Sequence, residues 1–178
     1  MVLVLLADGF EEIEALTPVD MLRRAGLEVK TVGIGTMTPT GSHGITVKAD
    51  IDPEAVDLSK LEMVVFPGGM PGALNLDASA FTDKVLLAAK EQGARIAAIC
   101  AAPLVLGRRG ILFGRKATCY PGFENELVSA IVVPDGVVTD GLITTARGMG
   151  VALEFSKELV RVMTSCEERD RLSASIME

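Results

Sequence analysis

Residues Val2-Leu-Val-Leu-Leu6 are apolar without interruption, the pattern of a strand buried on both faces. Leu61–Phe66 and Arg95–Ile99 repeat it with one charged residue near the start, and Leu27–Ile34 reads as a further strand. Helical spacing appears between these runs. Ile13, Leu16, Val19, Met21 and Leu22 line one side of Glu11–Ala25, and Ala80–Gln92, Gly150–Met163 and a short terminal Glu167–Ile176 follow. Pro18 lies inside the first of these stretches. It lacks an N–H and its ring crowds the preceding turn, so that helix is predicted to start late or kink. Thr36–Gly44 is a turn-rich loop with a short strand at Ile45–Ala49 beyond it. After Ala101 the pattern loosens into short strands at Lys116–Thr118, Ile131–Val133, Val137–Thr139 and Leu142–Thr145, with hairpin-type turns at Pro134-Asp-Gly136 and Asp140-Gly141. Strands alternating with helices predict right-handed crossovers and a mostly parallel sheet covered on both faces: one α/β domain over residues 1–178.

Composition narrows this picture. Apolar residues make up 49% of the chain and aromatics only 4%, so the interior must be aliphatic. A net charge of −7, with basic residues scattered, disfavours a nucleic-acid partner, which needs concentrated Lys and Arg. The apolar run at Val2–Leu6 is too short for a signal sequence or a membrane span. Three cysteines, with no C-x-x-C, indicate neither a disulfide framework nor a zinc site, and a reducing cytoplasm is the expected setting.

Chemistry concentrates at three strand ends, where open parallel sheets bind ligands. The first strand opens onto Glu11-Glu12-Ile13-Glu14, the Leu61–Phe66 strand onto Pro67-Gly68-Gly69, and the Arg95–Ile99 strand onto Cys100. A strand that ends on a nucleophile and turns into a helix is the geometry of a nucleophile elbow. The helix N-terminus is then expected to lower the thiol pKa from roughly 8.5 into the range of about 3.5–7.5. A carboxyl near the thiol could exchange a proton with it. The glycine pair and the N–H of Ala101 could form an oxyanion hole. Simpler readings exist for each feature. Buried cysteine is common core, Glu11 and Glu12 suit the first turn of a helix, and Pro-Gly-Gly is ordinary loop punctuation. Glu14, one turn further in among apolar positions, is the least routine of the acids. Gly148-Met-Gly150 is read as a tight turn, because neither phosphate-loop motif is complete. His43, the only histidine, sits in a glycine-flanked loop and reads as exposed. Cys119 and Cys166 read as filler, although Cys119 follows a strand and can reach the same edge.

The segments Ala7-Asp-Gly-Phe-Glu-Glu-Ile-Glu14, Pro18-Val-Asp-Met-Leu-Arg-Arg-Ala-Gly26, Phe66-Pro-Gly-Gly-Met-Pro-Gly72, Ala97-Ala-Ile-Cys-Ala-Ala-Pro103 and Thr145-Ala-Arg-Gly-Met-Gly150 together resemble the ThiJ/PfpI superfamily. Within it they are most similar to the branch of the parkinsonism-associated protein deglycase. The resemblance runs in order over nearly the whole chain. It implies a flavodoxin-like three-layer sandwich, a nucleophile at Cys100, and a glutamic acid at Glu14 hydrogen-bonded to the sulfur. Gly69 and Ala101 would supply oxyanion N–H groups, with Gly68, His43 and Tyr120 as candidate pocket residues. It further implies no metal or organic cofactor, and a homodimer through the helix around Val19–Arg24. Many members carry a histidine where Tyr120 stands here, so a Cys–His pair is missing and a peptidase is disfavoured. The late His-x-Glu pair of class I glutamine amidotransferases is missing too. Two functions remain: an enzyme acting on small dicarbonyls such as methylglyoxal, or a redox-sensing, stress-protective protein whose Cys100 an oxidant converts to sulfinic acid.

Overall fold

A computed structural model of the chain describes residues 1–177. Its strands are β1 (Val2–Ala7), β2 (Val29–Ile34), β3 (Met63–Phe66), β4 (Arg95–Ile99), β5 (Lys116–Ala117), β6 (Ile131–Val132), β7 (Val137–Asp140) and β8 (Ile143–Ala146). Six of them form one sheet in the order β2-β1-β3-β4-β8-β7, while β5 and β6 pair separately. All neighbours in the large sheet are parallel except β7, which joins β8 antiparallel. The helices are α1 (Glu12–Arg24), α2 (Gly72–Asp77), α3 (Ala80–Gln92), α4 (Pro103–Arg108), α5 (Ala152–Met163) and α6 (Cys166–Ser175).

The uninterrupted apolar strands make sense in this setting, because successive residues point to opposite faces and both faces are covered. Val2, Val4 and Leu6 join Met63, Val65, Ala97 and Ile99 in a core shared with α1 and α5. Leu3, Leu5, Val64, Phe66 and Ala98 enter a second core with α2, α3 and α4. This is a flavodoxin-like three-layer α/β fold. Its interior is aliphatic, with Phe10, Phe66 and Phe155 the bulkiest wholly buried side chains. Each large aliphatic residue so buried contributes about 1.5–3 kcal/mol relative to exposure. Local signals set the helix limits: the Ser79 side chain accepts a hydrogen bond from Phe81 N–H at the start of α3, and Gly93 closes it at φ 67°.

Several expectations are corrected. Helix α1 starts at Glu12 and runs through Pro18, so Pro18 does not delay it. Pro18 is buried, and packing against the sheet and α5 holds the helix although the proline offers no N–H. Ile45–Ala49 forms no strand; Thr46 makes only an isolated bridge to Thr40. Pro134-Asp-Gly136 is no hairpin, since β6 pairs in parallel with β5, whereas Gly141 does turn β7 into β8. Helix α2 follows Pro71 in a stretch to which the sequence pattern assigns no element. Along α1, Val19, Met21 and Leu22 are buried in the chain's own core, Arg23 and Arg24 pair with Asp50 and Asp20 at the surface, and Ile13 is exposed. Among the described residues, no helix is long and apolar enough to cross a membrane.

Candidate active site

The carboxyl ends of β1, β3, β4 and β8 meet at Cys100. This residue adopts φ 64°, a left-handed conformation that costs a non-glycine residue about 1–2 kcal/mol. Its neighbours hold it there. Cys100 N–H donates to Ala146 C=O at the end of β8 (2.9 Å), and Cys100 C=O accepts from Tyr120 N–H (2.8 Å). Such strain, fixed from both sides, is how an elbow presents a nucleophile. The sulfur-bearing residue is partly exposed, whereas Cys119 is buried and Cys166 lies on the surface.

Glu14 comes from the first turn of α1 and is 1% exposed. Its Oε2 accepts from Gly68 N–H at 3.0 Å, and Gly68 C=O in turn accepts from Glu11 N–H at 2.9 Å. These bonds clip the start of α1 to the loop after β3. A Cβ placed on Gly68 would lie 2.5 Å from Glu14 Oε2 and 2.6 Å from Cys100 Cβ. Gly68 is therefore the gap across which carboxyl and thiol meet; it is buried and acts as a spacer rather than a pocket wall. Glu14 Oε1 is buried without a hydrogen-bond partner of normal geometry. The Met149 N–H lies close enough to favour the charged carboxyl without being aligned as a bond.

Burial raises Glu14 to about 7, against the hydrogen bonds from Cys100 and Gly68. Burial, then the charge and hydrogen bonding of Glu14, push the Cys100 thiol up to about 12. This corrects the expected lowering. Helix α4 has only six residues and begins at Pro103, so its dipole is small beside desolvation and a facing carboxylate. Only the N–H groups of Gly69 and Ala101 favour thiolate. These two residues are the oxyanion donors read from the sequence, and here their N–H groups face the sulfur. Two acids buried face to face do not both ionise, so from about pH 7 to about pH 12 the pair shares one proton. When that proton sits on the carboxyl, the thiolate loses its repelling charge and gains an O–H donor.

Of the remaining candidates, Tyr120 belongs to the site and His43 does not. The Tyr120 backbone holds the Cys100 carbonyl, as above, and its ring is half exposed. Thr118 N–H, two residues earlier, donates to Thr145 Oγ1 at 2.9 Å, which lays this segment along the sheet edge. His43 Nδ1 is engaged elsewhere, 2.9 Å from Glu12 Oε2 and 3.2 Å from Glu11 Oε2. Burial alone would raise Glu12, but hydrogen bonds from the His43 ring and from the His43 and Ile45 N–H groups hold it at about 2. Glu11, Glu12 and His43 offer ligand atoms within 4.8 Å of one another, a geometry able to hold a cation but already closed by its own hydrogen bonds. Gly148 was read as a simple turn. Here it adjoins both Glu14 and Tyr120, a role visible only once β8 is placed beside β4.

A model describing the DJ-1/PfpI family matches residues 1–162. This chain belongs to the DJ-1/PfpI family. It is 34% identical to protein dj-1beta of Drosophila melanogaster over 178 residues, covering 98% of this chain and 95% of that protein. A deglycase of Pyrococcus abyssi is 34% identical over 168 residues, covering 91% and 98% of the two chains. Among solved structures, oxidized Toxoplasma gondii DJ-1 superposes with a TM-score of 0.94 at 38% identity, covering 99% of this chain and 97% of that one.

Proposed function

We propose that this member of the family is a cofactor-independent, cysteine-dependent glyoxalase or deglycase-like enzyme for reactive dicarbonyls such as methylglyoxal. The observation that carries the reading is the buried Glu14 carboxyl meeting Cys100 across Gly68. Named deglycases among the relatives support it. In this scheme Glu14 takes the thiol proton as Cys100 sulfur bonds to the aldehyde carbon. Gly69 and Ala101 N–H groups steady the oxygen that gains negative charge. Glu14 returns the proton to that oxygen, which leaves a hemithioacetal. Proton transfer from C1 to C2 gives a lactoyl thioester, and water cleaves it to lactate and free thiol. The sum is methylglyoxal plus water to lactic acid, with no net oxidation. Three free cysteines suit a reducing cytoplasm as the place of action.

The test is lactate formation from methylglyoxal. We expect it to vanish in Cys100→Ser and to fall about 10²–10⁴-fold in Glu14→Gln. A redox role is the second reading, favoured by the cluster of two N–H donors and one carboxyl around a single sulfur. Negligible turnover, with peroxide adding about 32 Da (two oxygens) at Cys100, would overturn the enzyme and leave that sensor.

A further inference from the structure

The space above Gly148 ties three features together. A Cβ built there would lie 3.2 Å from Tyr120 Cδ2, 3.7 Å from Tyr120 Cε2 and 3.8 Å from Glu14 Oε1. One edge of the Tyr120 ring therefore packs over Gly148 beside the unpartnered carboxyl oxygen, a close approach that the missing side chain of Gly148 permits, and the rest of the ring faces outward. Tyr120 is 51% exposed, and Met149 and Met70, which follow Gly148 and Gly69 in the chain, are 52% and 45% exposed. Three large apolar side chains thus stand unburied around the site: Tyr120 bonded through its N–H to Cys100, Met70 next to Gly69 at the sulfur, and Met149 next to Gly148 beside the carboxyl. Elsewhere the interior is almost wholly aliphatic, and this is the chain's only tyrosine.

We infer that the Tyr120 ring is a substrate-binding face that selects α-oxoaldehydes carrying an apolar substituent, aryl above all, over unsubstituted glyoxal. The reacting aldehyde sits on Cys100 beside Glu14, and the substituent lies on the exposed part of the Tyr120 ring. Offset stacking favours a planar aryl group most, a methyl group contributes less, and glyoxal has nothing to place there. The phenol hydroxyl is not needed for this role; the ring is.

The inference rests on the dicarbonyl reading above, and two measurements separate the failure of one from the failure of the other. The first is kcat/KM for phenylglyoxal relative to glyoxal. Tyr120→Phe should retain the preference, and Tyr120→Ala should lower it about tenfold, mainly through KM for phenylglyoxal. The second needs no turnover. With one tyrosine and no tryptophan, emission reports on Tyr120 alone. Mandelate, the hydroxy acid derived from phenylglyoxal, should change that emission in Cys100→Ser protein at lower concentration than lactate does. A preference for aryl substrate that survives Tyr120→Ala overturns the inference, and so does a response to mandelate no stronger than that to lactate. Absence of all turnover together with a selective mandelate response would sink the enzymatic reading and leave the aryl-binding face standing.

Discussion

A single hydrogen atom distinguishes Gly68 from a residue that would take the site apart. Any Cβ there must displace either Glu14 Oε2 or the Cys100 side chain, and neither has room to move: one is buried, the other fixed by bonds to Ala146 and Tyr120. Gly68→Ala is expected to abolish selective alkylation of Cys100 and to cost about 1–3 kcal/mol in chemical denaturation. Unaltered alkylation would show that carboxyl and thiol do not meet across this glycine. The shared proton has its own signature. In the wild type, the first proton lost near pH 7 comes mainly from the carboxyl, and the thiolate facing a neutral carboxyl is a fixed minor share of the resulting one-proton form, so iodoacetamide reactivity should rise through about pH 7 and then level off. Glu14→Gln removes that step and the repelling charge, and the thiol should then titrate alone, below the wild-type value of about 12. A wild-type rate that climbs steadily to pH 9 with no break near 7 would refute the coupling. Cys100 was legible as a candidate nucleophile from its strand-end context. Local pattern marked Glu14 only as the least routine of three acids, set among apolar positions; its role beside the sulfur came through the family resemblance. The direction of the thiol shift was misread for a physical reason: sequence suggests a helix dipole but does not show how deeply a carboxyl is buried.

Among the elements, α1 organises the most. Its N-terminus holds Glu14 toward the thiol and Glu12 toward the loop that carries His43 and Ile45. The loop is thereby pinned to the helix that positions the catalytic candidate. The pin is electrostatic: the hydrogen bond that the His43 ring donates to Glu12, then the charges of Glu11 and Glu12, raise the His43 pKa. Proton NMR should find His43 titrating above its ordinary value, and Glu12→Gln should bring it down. A histidine with an ordinary titration in the wild type would show that the pin does not form in solution. Long elements could be read from periodicity alone, including α3, α5 and the four parallel strands β1 to β4. The misses share a cause. Helix α2 is six residues long and starts behind a proline, too short to display a period, and Ile45–Ala49 alternates like a strand but has no partner to pair with. Pro18 misled because propensity counts the lost hydrogen bond and not the packing that compensates for it.

For the whole molecule, burying Glu14 makes the site a liability to stability. Its carboxyl is raised from 4.5 to about 7 on folding, so the neutral form is favoured in the native state. The contribution is complete below pH 4.5 and lost as pH rises through about 7, where folding must bury a charge. The difference amounts to about 3 kcal/mol. Glu14→Gln should therefore stabilise the protein at pH 8 relative to the wild type and do so far less at pH 4.5, as followed by thermal unfolding. An equal effect at both pH values would show that desolvation of the carboxyl is not what the substitution relieves. Function here draws against stability, as is common where an ionisable group must be kept from water.

The strand order has one more consequence, and it concerns the order of synthesis. Cys100 leaves the ribosome well before Tyr120 and before β8, the two partners that lock its backbone, because β8 inserts beside β4 although it comes late in the chain. A nascent polypeptide thus carries its thiol outside the elbow, with the ordinary reactivity of a free cysteine. The raised thiol and the carboxyl-coupled step near pH 7 arise only once nearly the whole chain has been made and folded, so that step in the labelling profile, rather than labelling itself, marks completed molecules in a mixed population.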